Sequence, residues 1–202
     1  MRLKYSNFDE QYKAFIFELD DVLFPTKDYD LQVYYLFAHF LAYEKPQFIA
    51  TEIIEYAKQR YQSHGNNKMF EALHKTFAID INYQNNLNQL FNKAKLPLKL
   101  LLFNDALTLL KQIIVNHKSV FILTAGISER QLNKIKQTEW NGIETFLKVY
   151  FEDEFKDEPL SEALNYLLTQ HNLNPKDIIM VGNSRSKQSV VEAMGISFVR
   201  SY

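Results

Sequence analysis

The chain contains no cysteine. This excludes disulfides, thiolate metal sites and cysteine nucleophiles, and it fits a reducing cytoplasm. Neither sign of charge is in surplus: 23 Lys and Arg stand against 24 Asp and Glu, a formal net charge of −1. Binders of nucleic acid and of membrane surfaces use a basic excess to neutralise phosphates, and this chain lacks one. No apolar run approaches the roughly 20 residues that a membrane span needs. The opening residues, Met1-Arg2-Leu3-Lys4-Tyr5-Ser6-Asn7, hold no apolar signal core. Internal repeats and low-complexity tracts are also missing. The expectation is a cytoplasmic protein that binds neither nucleic acid nor membrane.

What is present is enough chain, 202 residues, for one domain with an insertion or for two small ones. The most informative stretch is Phe15-Ile16-Phe17-Glu18-Leu19-Asp20-Asp21-Val22. Its apolar start has strand character and runs straight into three carboxylates. Glu18 and Asp20 are two residues apart, so on an extended chain they face one side. Carboxylates converging at the end of a buried strand repel each other. That is costly unless a cation or a proton transfer uses them. As an isolated pattern, a strand ending in a solvated acidic turn reads equally well.

Beyond Pro25 the periodicity is helical. Leu31, Tyr34, Tyr35, Ala38 and Leu41, with Phe37 beside them, form a stripe at helical spacing. Pro46 is expected to close that helix and open the next, carrying Ile49, Ile53, Ile54, Ala57 and Tyr61. Two further helices follow, one with Met69, Phe70, Leu73 and Phe77, the other with Leu87, Leu90 and Phe91. Residues 26–97 therefore read as an all-helical insertion. From residue 98 on, apolar strands alternate with helices. Strands are expected at 119–123, 148–151, 177–181 and 197–199, and helices at 105–116, 128–138, 159–170 and 187–194. Continuous apolar strands separated by helices imply a parallel sheet covered on both faces, with ligands bound outside the strand carboxyl ends.

Three more places could carry chemistry. The strand at 119–123 ends in Thr124-Ala125-Gly126 ahead of a helix opened by Ser128 and Gln131 in a capping-box pattern. A hydroxyl and backbone N–H groups there suit a phosphate, although an ordinary strand-to-helix turn would look the same. Lys156 lies in the acidic loop Glu152–Glu158 before Pro159, where a lone lysine is normally a solvated charge. The strand at 177–181 runs into Gly182-Asn183-Ser184.

In series, these four stretches resemble the motifs of the haloacid dehalogenase (HAD) superfamily, over residues 13–24 and roughly 98–202. The resemblance implies a three-layer, Rossmann-like parallel sheet in residues 1–25 and 98–202, with residues 26–97 as a helical cap of the C1 kind. The layout is similar to the capped phosphatase branch, which acts on small phosphorylated metabolites. The family's nucleophilic Asp falls at Glu18 and its acid/base Asp at Asp20. Thr124, with Ala125 in place of the usual Asn and with Gly126, falls at the phosphate-binding turn. Lys156 falls at the lysine that neutralises nucleophile and phosphate. Mg²⁺ would be held by Glu18, the backbone carbonyl of Asp20 and Asn183, with Gln188 at a further acidic position. Two acids are thus neutral amides, and Glu reaches one C–C bond, ~1.5 Å, further than Asp. A positional error of ~1 Å can cost on the order of 10²-fold in rate. The expectation is a phosphatase-like protein with weak or absent Mg²⁺ binding and impaired or lost activity. The alternative is a non-catalytic HAD-like domain that binds a phosphometabolite or a protein partner. An unrelated α/β binding domain would require the ends of the strands carrying Glu18, Thr124 and Asn183 to lie far apart. Oligomeric state stays open.

Overall fold

The computed structural model describes residues 4–8 and 10–201. Met1-Arg2-Leu3, part of the opening segment read above, lie outside the described residues. The chain divides into two compact units. One comprises residues 1–25, 101–131 and 138–202, the other residues 26–100 and 132–137.

The first unit is built on a five-stranded sheet in the order β5-β3-β1-β6-β7. Its strands are β1 (Ala14–Phe17), β3 (Ser119–Thr124), β5 (Leu147–Phe151), β6 (Ile178–Gly182) and β7 (Ser197–Arg200), and every neighbouring pair is parallel. Two short strands, β2 (Leu100–Leu101) and β4 (Thr138–Glu139), form a separate pair. The helices of this part of the chain are α5 (Asn104–Val115), α6 (Ser128–Gln137), α7 (Pro159–Gln170) and α8 (Arg185–Ala193). Strand alternation assigns the sheet's two faces. Ile16 is level with Phe121 on one side and Met180 on the other. These three pack with Ala163, Leu164 and Leu167 of α7 and Val191 of α8 in one buried cluster. Phe15, Val120 and Ile179 belong to the opposite face, where Phe8 and Tyr12 meet the Phe15 ring edge-on and Tyr5 packs against it at a tilt. Both faces are therefore covered, as continuous apolar strands require.

The second unit holds α1 (Thr26–Glu44), α2 (Ala50–His64), α3 (Met69–Phe77) and α4 (Tyr83–Lys93). The buried face of α1 is Tyr29, Asp30, Val33, Tyr34, Phe37, Ala38 and Leu41; Tyr34, Phe37, Ala38 and Leu41 of the expected stripe lie in it, while Leu31 is only partly buried. Tyr35 is half exposed. From Val33 to Tyr43 every position of this helix but His39 is apolar or aromatic, so its spacing fits two faces. Packing selects the one on which Tyr29 stacks near Phe91 and donates to its carbonyl. Pro46 does not open α2. It sits in a turn closed by Phe48 N–H on Lys45 O at 3.0 Å, and α2 starts at Ala50. The C-terminal part of α6 belongs to this unit: Asn133 donates to Ala94 O at 3.0 Å, and the buried Lys134 lies over the Tyr29 ring.

Candidate active site

The carboxyl ends of β3, β1 and β6 are neighbours because β1 is central. Phe17 pairs with Ile122 and Val181, so the chain segments beginning at Glu18, Thr124 and Gly182 emerge side by side. An unrelated arrangement with these strand ends far apart is thereby ruled out. Past β1 the backbone turns sharply. Leu23 N–H bonds Leu19 O, Asp21 N–H bonds Phe24 O, and Asp21 takes a left-handed φ of 56°, which Asp tolerates through its short polar side chain.

Glu18 is 9 % exposed. Its N–H extends the ladder to Val181 O at 3.0 Å. Oε2 accepts from the backbone N–H of Asn183 at 2.9 Å. Oε1 is buried, lacks a hydrogen bond, and faces the Lys187 ammonium at 3.4 Å, which is charge contact without hydrogen-bond geometry. The same ammonium meets Glu152 Oε1 at 2.5 Å, and Glu152 is 6 % exposed. Lys187 and Val191 are four residues apart on α8, and Val191 is in the core, so that face of the helix looks at the sheet. Glu18 shares the parity of Ile16 and leans to the same side.

Gln131 organises the other carboxylate. Its Nε2 donates to Asp20 Oδ2 at 2.8 Å and to the buried Thr124 Oγ1 at 2.5 Å. Ala125 and Gly126 are exposed, and Gly126 has φ of 100°. The N-terminus of α6 already holds an anion of the chain's own: Asp153 accepts from Ser128 N–H at 2.7 Å and from the Ser128 hydroxyl. A carboxylate in that place satisfies free N–H groups and the positive end of the helix dipole.

Lys156 is exposed and makes no ion pair among the described residues. The lysine that meets Glu18 is Lys187, one position before Gln188. Gln188 bonds Glu192 at 2.8 Å along the outer face of α8. Asn183 Nδ2 donates to Asp21 O at 2.8 Å, so its Oδ1 is turned to the Ser201 hydroxyl, which donates to it. A backbone carbonyl can only accept, and this fixes which end of the amide is which.

These groups do not fit Mg²⁺. The metal needs oxygen donors in near-octahedral positions at about 2.1 Å. The Asn183 amide oxygen is engaged by Ser201, one Glu18 oxygen by a backbone N–H, and the other faces an ammonium. Like charges about 4 Å apart near a protein surface oppose each other by ~4 kcal/mol per unit product, and a dication doubles this. No group of three or more His, Asp or Glu side chains among the described residues is placed to hold a metal.

Residues 15–200 match the family model described as haloacid dehalogenase-like hydrolase. The chain belongs to that family. Among solved structures, it is similar to a hydrolase from Streptococcus pneumoniae TIGR4 at 14 % identity, over 95 % of this chain and 93 % of that one, with a TM-score of 0.55. A magnesium-bound HAD-hydrolase from Bacillus subtilis aligns at 15 % identity over 93 % and 85 % of the two chains, with a TM-score of 0.59. The L-2-haloacid dehalogenase from Xanthobacter autotrophicus aligns at 15 % identity over 94 % and 77 %, with a TM-score of 0.55. At these identities the likeness is one of fold. No curated protein matches the chain. No helix among the described residues is long and apolar enough to cross a membrane.

Proposed function

We propose that this protein is a HAD-like phosphatase homologue whose activity on small phosphorylated metabolites is impaired or lost. The observation that carries this reading is the state of Glu18, at the place of the nucleophile. Attack on a phosphoryl group needs a carboxylate oxygen free to approach in line. Oε2 of Glu18 is held by Asn183 N–H, and Oε1 is buried against an ammonium. Asp20, at the acid/base position, is tied to Gln131. The turn Thr124-Ala125-Gly126 is the proposed contact for a phosphorylated ligand, because Ala125 and Gly126 remain exposed.

The test is steady-state phosphate release from a panel of small phosphate esters with Mg²⁺ present. The wild type is expected at background. Glu18→Asp alone should stay there. The triple variant Glu18→Asp, Asn183→Asp, Lys187→Asp should exceed the product of its single effects, because nucleophile and metal act as one unit. Brisk wild-type turnover that Glu18→Ala abolishes would overturn the reading.

A further inference from the structure

We propose that the Lys187 ammonium is the resident cation of this site, filling the place between Glu18 and Glu152 that closes it to divalent metal. This deepens the reading above and rests on it. The placement is against the local grain, since Lys187 is the third residue of α8, whose N-cap Ser184 Oγ accepts from Lys187 N–H at 3.4 Å. A cation in the first helical turn faces the positive end of the helix dipole. Lysine is also seldom drawn into the interior unless paired. Yet its side chain is only 19 % exposed, and the side chains it meets are 11 % and 8 % exposed for Glu18 and Glu152.

The two carboxylates explain the anomaly. Glu18 follows β1 and Glu152 follows β5, on opposite sides of β3. Two buried carboxylates drawn to one point need a positive charge between them. Lys187 supplies it through one hydrogen bond to Glu152 and one charge contact to Glu18. The Glu18 contact lacks hydrogen-bond geometry. The charge nevertheless lies 3.4 Å from the one buried side-chain oxygen among the described residues that has no hydrogen-bond partner, Glu18 Oε1. A metal ion at that oxygen would have to expel the ammonium. Removing the ammonium should therefore create a need for metal that the wild type does not have.

The experiment reads metal-linked stability rather than turnover, so it is separable from the test of activity. Thermal unfolding of the wild type and of Lys187→Met is followed in EDTA, in about 10 mM MgCl₂ or MnCl₂, and in choline chloride of matched ionic strength. The wild type is expected to unfold within about 1 °C of the same midpoint in all of them. Lys187→Met should unfold on the order of 4 °C or more lower in EDTA and recover a large part of that loss with the divalent ion but not with choline. Should Lys187→Met fail to fold without metal, the double variant Lys187→Met, Glu152→Gln must fold without it, because one of the opposed charges is gone. The proposal is overturned if divalent ions stabilise the wild type as much as the variant. It is equally overturned if Lys187→Met is indifferent to metal, or if the double variant also fails to fold. An inactive enzyme whose wild-type stability rises with Mg²⁺ would sink this proposal and leave the functional reading in place.

Discussion

Gly182 lacks a side chain where Glu18 needs the room. A Cβ built on Gly182 would lie 2.8 Å from Glu18 Cδ, 3.0 Å from its Oε2 and 3.0 Å from Phe198 Cζ. The longer acid at position 18 is thus accommodated by the bare backbone at the end of β6. Gly182→Ala should destabilise the protein by about 1–3 kcal/mol, the usual cost of overpacking a close-packed site. In a Glu18→Asp background the carboxyl group withdraws and the penalty should shrink by ~0.5 kcal/mol or more, without vanishing, because Phe198 still crowds the position. Urea unfolding of the two singles and the double measures the coupling. Strict additivity would mean that Glu18 does not press on Gly182.

Gln131 is a second structural tie, made at a point where a helix leaves the sheet. It is 2 % exposed and spans Asp20 and Thr124. Gln131→Leu removes a buried donor from two acceptors and should cost about 1–3 kcal/mol. Gln131→Glu keeps the shape but sets a second carboxylate against Asp20, and it should be worse than Leu at neutral pH. Denaturant midpoints of the pair decide the matter. A Glu variant as stable as wild type would show that this amide donates to neither partner.

Asp153 gives a smaller and more local prediction. It caps α6 through Ser128 N–H and the Ser128 hydroxyl. Asp153→Ala should cost ~1 kcal/mol, as the loss of a helix N-cap does, and Asp153→Asn less, since the amide oxygen still accepts. If inorganic phosphate stabilises Asp153→Ala but not the wild type, the freed helix end has become an anion site. If phosphate affects neither, that helix end is not the anchor for a phosphorylated ligand.

The sheet was legible because its strands are apolar runs ending in chemistry. Phe15-Ile16-Phe17 before Glu18, and Ile178–Val181 before Gly182-Asn183, put the site at the carboxyl ends of the strands. The charge balance of the site was not legible. Lys156 and Gln188 stood in the expected places by spacing from the motifs, but a helix sorts its residues by angle. Counting four residues back from the core residue Val191 reaches Lys187, and four back from the exposed Glu192 reaches Gln188. A cation in the first turn of a helix was the available signal, since it implies a nearby anion. Glu152 was hidden in an acidic loop that looks solvated. Its one distinguishing mark is that it directly follows β5, where Phe151 is level with Thr124. The inward face of α1 was legible in part: Tyr34, Phe37, Ala38 and Leu41 of the expected stripe are buried, but apolar residues continue round the helix and Tyr35 is half exposed.

His171 is expected to make the stability of the first unit sensitive to acid. Its ring packs on Phe121 with centroids 4.7 Å apart, Nε2 lies 2.6 Å from the Tyr150 hydroxyl, and Nδ1 lies 3.4 Å from the Lys148 ammonium. Burial lowers its pKa below the ordinary 6.5, and the Lys148 charge lowers it further. Burial likewise raises the Tyr150 phenol above its ordinary value, with Tyr166 adding to the shift, so Tyr150 stays neutral throughout this range. In the unfolded chain His171 takes up its proton near pH 6.5, whereas in the folded protein it resists until lower pH. Stability from this residue is therefore complete above the unfolded pKa. It declines as pH falls through that value and levels off below the folded pKa, because over that window the unfolded state binds more protons. The expected result is that His171→Gln flattens the acid side of the stability profile, whatever the packing loss does to its absolute height. Urea midpoints of wild type and variant between about pH 7.5 and pH 5 give the two slopes. Equal slopes would mean that the acid sensitivity originates elsewhere. A steeper slope in the variant would mean that His171 is more easily protonated in the folded protein than in the unfolded one, the reverse of what burial beside Lys148 requires.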